Sequence, residues 1–481
     1  MPDNAETYGS VNTRPAAADC AEEGDGAAHG TADAAPERLE GALDQSALER
    51  ADSTSVRRRQ RSPSRSIRKA TAKGRPEARS EWWRTATLMI AQMLGTGVLG
   101  LPFAFAQLGM IPGLFALAFF GLGSVYSGAL LARLRAVVPH ALVYADLGHA
   151  ALGPRGRFLV GCVGYTFMFG TMLIFHLTAA LTLRASLHSQ CLVVASASVV
   201  FIVTPLLQIR TLHSLSWLAL VGVVSILLPL SLSLAELMSG FVDDDVKGSV
   251  GHVDLVAWNA PFESKVVAIM SIVFSYSGQV EFVELMAEMR KPHEFPKAVW
   301  ATTAVMSAAY VVTAVVGYWF LGSAVKSPFT TEIPENAIKH ASNFVIFVHV
   351  IIAYTIITNV TCSAAASAIA PHLSYDTGIK GRTLWLFVTL GLVMACFVLS
   401  NAVPFLADLM AVISAVCALA TTYGFPCTFA VALLVDMSPR ERKICQCIVG
   451  ISLCFSCLGV YAAFSDIADK WHSAPRPPFS C

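Results

Sequence analysis

From residue 80 onward the chain alternates between long apolar runs and short polar interruptions. A helix needs about 20 mainly apolar residues to cross a bilayer. Eleven stretches qualify, near residues 84–108, 111–134, 158–184, 192–207, 214–238, 264–286, 298–321, 343–370, 384–401, 404–435 and 444–464. The fourth is short. The tenth is long enough to tilt or bend, with Gly424 and Pro426 as its natural break. Two runs are interrupted from within. The first holds "AQMLGTGVLGLP" (91–102), in which Gly95, Gly97 and Gly100 precede Pro102. Glycine costs a helix interior about 1 kcal/mol relative to alanine, and proline about 3. The sixth, "IVFSYSGQVEFVELMAEM" (272–289), carries Ser275, Tyr276, Ser277, Gly278 and Gln279 near its middle.

The two interruptions lie five spans apart, the pattern of an inverted repeat in which spans one to five are echoed by six to ten. Non-helical backbone at membrane depth survives only when it is buried in protein or lines a wet cavity. At Gly95, Thr96 and Gly97 an unwound helix would free amides for an anionic group, and glycine would let that group approach the backbone. The competing reading is close helix packing, which the spacing in "GLGSVYSG" (121–128) of the second run serves well. A matching break in the sixth run favours the binding reading for the first. The expected fold is an all-α polytopic membrane protein of about eleven transmembrane helices, a 5+5 inverted repeat with broken first and sixth helices.

Composition agrees. The chain is 55% apolar and 14% charged, against about 25% charged in an ordinary soluble domain. The charges also orient the spans. Alternate loops carry Arg133, Arg135, Arg155 and Arg157, then Arg210, then Arg290, Lys291 and Lys297, then Lys380 and Arg382, then Arg440, Arg442 and Lys443. The intervening loops are poor in cations or acidic, as in "DDDVK" (243–247). The positive-inside rule then puts the amino terminus in the cytosol and, with an odd number of spans, the carboxyl terminus outside. Residues 1–79 cannot bury a core and are expected to form a disordered cytosolic tail. Its basic block, "RRRQRSPSRSIRKATAKGR", flanks the first span and reads as lipid-facing rather than as a nucleic-acid arm. Ser62, Ser64, Ser66 and Thr71 within it are open to phosphorylation. Residues 80–464 form the transmembrane domain and 465–481 a short extracytosolic tail.

Ionisable residues within spans are functional hypotheses by default. Glu281 and Glu284 share a face of the sixth helix and are candidates for carrying a proton. They could equally line a vestibule and pair with basic loop residues. His176 and His349 read as packed, hydrogen-bonded side chains, and Asp408 as an anchor for the tenth helix. Thr358, Asn359, Thr361 and Ser363 make a polar run in the eighth span, beside a small-residue face suited to packing. The cysteines are scattered along apolar segments without zinc-ligand spacing and read as small hydrophobes. No catalytic set, cofactor motif or metal-ligand cluster stands in a credible context; the chain is not expected to be an enzyme.

Four ordered blocks make the chain recognisable. "GTGVLGLPFAFAQLG" (95–109), "YADLGHAALGPRGR" (144–157), "FSYSGQVEFVELMAEMRKPHEFPKAV" (274–299) and "VPFLADLMAVISAV" (403–416) resemble the amino acid/auxin permease family of the amino acid–polyamine–organocation superfamily. The resemblance spans roughly residues 80–464. It implies secondary active transport of L-amino acids by alternating access. The substrate carboxylate would lie against Gly95, Thr96 and Gly97, and its amino group would be read by Ser275, Tyr276, Ser277 and Gly278. Phe169 and Thr358 would close the pocket from the third and eighth spans. Glu284 fits an acidic position common in the family, while Glu281 is less typical. Sodium-coupled animal members carry Asn where this chain has Ala91, so proton symport or exchange is expected instead. Many members have His where this chain has Gln279. The expected partners are an amino acid, protons and membrane lipids, with no nucleic acid. The expected location is the plasma membrane or a vacuolar or endolysosomal membrane. A transceptor that signals through the tail is the alternative. A channel is disfavoured, because the polar residues cluster at midplane.

Overall fold

A computed structural model describes residues 80–187, 191–208, 215–239, 252–333, 335–370, 373 and 378–473. The expected tail at 1–79 and the acidic run at 243–247 lie outside the described residues, as do 474–481. Apart from an isolated backbone bridge, the described residues that form regular structure are helical. Nine helices among them are long and apolar enough to cross a membrane. The short fourth helix, Leu192–Leu206, and the broken first complete the expected eleven.

The first span is three pieces, Trp82–Met93, Thr96–Leu99 and Leu101–Leu108. Gly109 then turns the chain at φ 91, with no room for a side chain against Val256 and Ala257, and Met110–Val137 follows as the second span. The third, Tyr144–Ser186, starts well before the expected 158. It kinks at Gly153, whose φ of 73 and following Pro154 break the helical ladder. The fifth is Leu215–Ser239. The sixth is Phe262–Ser275 and Gln279–Glu288, and the seventh Phe295–Leu321. The eighth and ninth are Ala337–Ile369 and Ile379–Ala402. The tenth, Leu406–Leu433, relaxes into wide π-turns over Ser414–Ala418 and Ala420–Gly424, and Pro426 opens its last stretch. The eleventh, Pro439–Ser473, runs past the expected end at 464.

Packing divides these helices into two groups. The first, second, sixth and seventh spans pack on one another; the third, fourth, eighth and ninth make a second group. The fifth joins the first to the eighth, and the tenth lies against the sixth and the third. Burial grades accordingly: 83% of the sixth span's apolar window is covered by protein, against 22% of the eleventh's, so the broken sixth helix is central and the eleventh peripheral. At one end, Ser80 N donates to Glu288 O and Ser80 O accepts from Arg290 N, bracketing Met289, and Arg290 pairs with Glu81, tying the start of the first span to the end of the sixth.

Asp408 does anchor the tenth helix, through a partner that sequence reasoning placed in the tail. The carboxylate is fully buried and meets Lys470 Nζ at 2.7 Å. Asp466 holds the same ammonium at 2.7 Å, Phe405 lies beneath it, and Trp471 Nε1 donates to Ala402 O. Removing one partner of a buried pair leaves the other charge uncompensated, at a cost of about 3 kcal/mol or more. Lys470→Met should therefore lower the thermal stability of the detergent-solubilised protein markedly, and adding Asp408→Asn should restore most of the loss. Unchanged melting of the single variant would show that the pair is not holding the helix ends together.

Candidate functional site

The first span stops at Met93. Leu94 has left helical geometry at ψ 59, and Gly95 is neither helical nor extended at φ −116, ψ −119 before the short helix Thr96–Leu99 begins. The first amides of any helix lack partners within it. The sixth span stops at Ser275, turns through Tyr276 and Ser277, and resumes at Gln279. Its own serines close back on the helix: Ser275 Oγ donates to Ser271 O and Ser277 Oγ to Val273 O.

The breaks face each other. A Cβ on Gly97 would lie 2.6 Å from Ser275 Oγ and 2.9 Å from Ser275 Cα. A Cβ on Gly278 would lie 2.9 Å from Met93 Sδ. Tyr310, fully buried in the seventh span, reaches both breaks, its hydroxyl directed at Ser275 O at 2.6 Å and Met93 O at 3.3 Å. Gln279 serves the sixth. Its Oε1 accepts from Gly278 N at 2.9 Å, and its Nε2 donates to Ser124 Oγ at 2.8 Å, while Ser124 Oγ donates to Tyr276 O. Freed backbone groups that would be costly in hydrocarbon are thus paired. Gln279 thus pairs the backbone on both sides of the break.

Between the breaks is a narrow cavity. The first span supplies Gln92, Met93 and Thr96; the sixth supplies Phe274, Ser277, Gly278 and Glu281; the third closes it with Phe167, Thr171 and Phe175. Thr96 is 1% exposed, and its hydroxyl has no hydrogen-bond partner among the described residues. Gln92 stands against Glu281 across the break.

Of the expected binding residues, Thr96, Ser277 and Gly278 line this space. Gly95 sits behind it, where a Cβ would meet the Phe175 ring at 3.3 Å. Gly97 and Ser275 form the span-to-span contact. Tyr276 points away: its hydroxyl bonds Ser307 at 2.9 Å and its ring meets Tyr310 edge-on. Phe169 is on the right span in the wrong register, because a helix turns about 100° per residue and Phe167, Thr171 and Phe175 hold the inward face. Thr358 is buried in the eighth span but does not line the cavity. The glutamates separate. Glu281 enters the cavity, whereas Glu284 faces Tyr165, Asp146 and Glu288.

His176 bonds Ser196 at 2.8 Å and His349 bonds Ser225 at 3.1 Å, both as packed side chains. Cys362, Cys396, Cys417, Cys427 and Cys445 are buried, while Cys162, Cys447, Cys454 and Cys457 are exposed on the outer surface. Among the described residues no cluster of His, Cys, Asp or Glu could hold a metal ion. Tyr310, Gln92 and the three phenylalanines carried no sequence signal of their own, since an aromatic in an apolar run reads as core.

A family model described as transmembrane amino acid transporter protein matches residues 78–467. An N amino acid transport system protein of Neurospora crassa is 26% identical over 423 residues, covering 83% of this chain and 88% of that one. Amino acid transporter AVT1E of Arabidopsis thaliana is 29% identical over 388 residues, covering 78% and 71%. In fold, the chain resembles the crystal structure of MhsT in complex with L-phenylalanine, with a TM-score of 0.53 at 13% identity, over 81% of this chain and all of that one.

Proposed function

Because the chain belongs to the transmembrane amino acid transporter family, we propose that it is a secondary carrier that moves L-amino acids by alternating access around the cavity between its two broken helices. One observation carries this reading: the two breaks, the third span and the Thr96 hydroxyl, which has no partner among the described residues, converge on one cavity. An amino acid is zwitterionic. The amides that open Thr96–Leu99 suit its carboxylate, and the second lone pairs of the carbonyls at the sixth-span break suit its ammonium. Movement is read as rocking of the first, second, sixth and seventh spans against the third, fourth, eighth and ninth. The amino terminus is assigned to the cytosol from the loop charges. The membrane is the plasma membrane or that of a vacuolar or endolysosomal compartment.

Sodium coupling is disfavoured by Ala91. It offers no side-chain oxygen, and its Cβ packs where a Cβ on Gly222 would come within 3.0 Å, so a larger ligand has no room there. A proton carried by Glu281, or exchange, is favoured instead. Radiolabelled amino acid uptake into proteoliposomes tests this. Replacing sodium with choline should leave uptake unaltered, and an inward proton gradient should raise leucine uptake. A steep sodium dependence would defeat the coupling argument. Uptake of no amino acid from a full panel would defeat the transport reading.

A further inference from the structure

The cavity has a sign. Glu281 is its one charged lining residue, and no Lys, Arg or His is among the residues that line it. Gln92 offers the carboxylate a neutral partner. The ionisable groups nearest it on its own helix are acidic, Glu284 and then Glu288. The third span adds Asp146 and Tyr165 beside Glu284. Arg157, the cation on that side, is taken by Asp146 at 3.3 Å. The first span brings no ionisable side chain to the cavity; the second and seventh spans meet this half of the sixth through Ser124 on Gln279 and Phe295 on Phe282, and the tenth through its turn at Ala420–Gly424, where Tyr423 donates to Phe120 O. A half-buried carboxylate beside phenylalanines, in a space lined by no cation, favours a positive partner or a proton. The rings supply a second preference of the same sign, because aromatic faces attract cations, and Phe167, Phe175 and Phe274 all line the space, the first and last with ring centroids 6.4 Å apart.

Resting on the reading of this cavity as the transport site, we propose that it accepts amino acids with a cationic side chain, Glu281 serving as the counter-charge, and that a neutral amino acid occupies it only when Glu281 carries a proton. One positive charge then accompanies the substrate zwitterion in either case, on the side chain or on the carboxyl. A lysine expels the proton that a leucine requires. An acidic amino acid brings a second carboxylate into a space with no cation and is excluded.

The test is uptake of lysine, leucine and glutamate by the full-length protein in proteoliposomes at neutral and acidic external pH. In the wild type, acidification should raise leucine uptake, and lysine uptake should not rise with it; glutamate uptake should be at background. Glu281→Gln should lower the ratio of lysine to leucine uptake about 30-fold or more, the order of effect expected on losing a buried counter-charge, and should abolish the acid stimulation of leucine uptake. Glu281→Asp, which keeps the charge, should retain a lysine preference. Leucine transport by the wild type with no lysine transport at either pH overturns the proposal and leaves the transport reading standing. So does an unaltered lysine-to-leucine ratio in Glu281→Gln. The wild-type comparison decides the matter even where a variant fails to fold. Failure to carry any amino acid is the separate result that removes the transport reading itself.

Discussion

Gly97→Val should reach the membrane at normal levels and lose about 30-fold or more of its transport. The first broken span lies so close to the sixth that a single Cβ on Gly97 would come within 2.6 Å of Ser275 Oγ and 2.9 Å of Ser275 Cα. The hydroxyl could rotate away, but the Cα is backbone and must move the helix with it. Overpacking of this kind costs about 1–3 kcal/mol, and each 1.36 kcal/mol is a factor of ten in rate. Valine adds two further methyls, which puts it at the upper end. Gly97→Ala already carries the offending Cβ and should lose about tenfold. Insertion depends on hydrophobicity, which both substitutions preserve. Gly391 in the ninth span is the control: a Cβ there meets nothing within 4 Å, so Gly391→Val should transport normally. Wild-type uptake by a well-expressed Gly97→Val would mean that the two breaks need not touch.

That contact also shows what was legible beforehand. The eleven spans and both breaks could be read from the pattern, because apolar runs of bilayer length and glycine inside them are one-dimensional signals. The reason for Gly97 was not. Its Cβ space is occupied by a residue 178 positions away, and sequence spacing cannot say whether a glycine is freeing amides or admitting a neighbour. Thr96, Ser277 and Gly278 were placed in the cavity because they sit at the breaks themselves. Phe169 missed because the third span is apolar on every side from 158 onward, so nothing in its sequence says which face turns inward. Glu281 and Glu284 share a face, but they stand about 60° apart around the helix and about 4.5 Å apart along it, which carries one carboxylate to the cavity and the other towards Asp146. Lys470 was invisible as a partner for Asp408 because the eleventh helix was expected to end before it.

Tyr310→Phe should raise the KM for the transported amino acid by about tenfold and lower thermal stability, with membrane expression retained. The substitution keeps the ring that meets Tyr276 edge-on at 5.2 Å and removes one hydroxyl. That hydroxyl is directed at Ser275 O at 2.6 Å and Met93 O at 3.3 Å, the last helical carbonyls before the two breaks. A buried acceptor left without its donor costs about 1–3 kcal/mol, and phenylalanine has no group to replace the hydroxyl. The cost falls on the arrangement that brings the breaks together, which is the arrangement that forms the cavity. A less populated binding-competent state appears as weaker apparent affinity, in proportion to its population. Tyr276→Phe separates this from a general effect of losing a tyrosine hydroxyl: its hydroxyl bonds Ser307 and touches neither break, so its KM should move far less. Equal shifts in the two variants would show that the seventh span does not hold the broken helices through Tyr310. A fall in kcat at constant KM would place the hydroxyl in the movement between states rather than in the formation of the site.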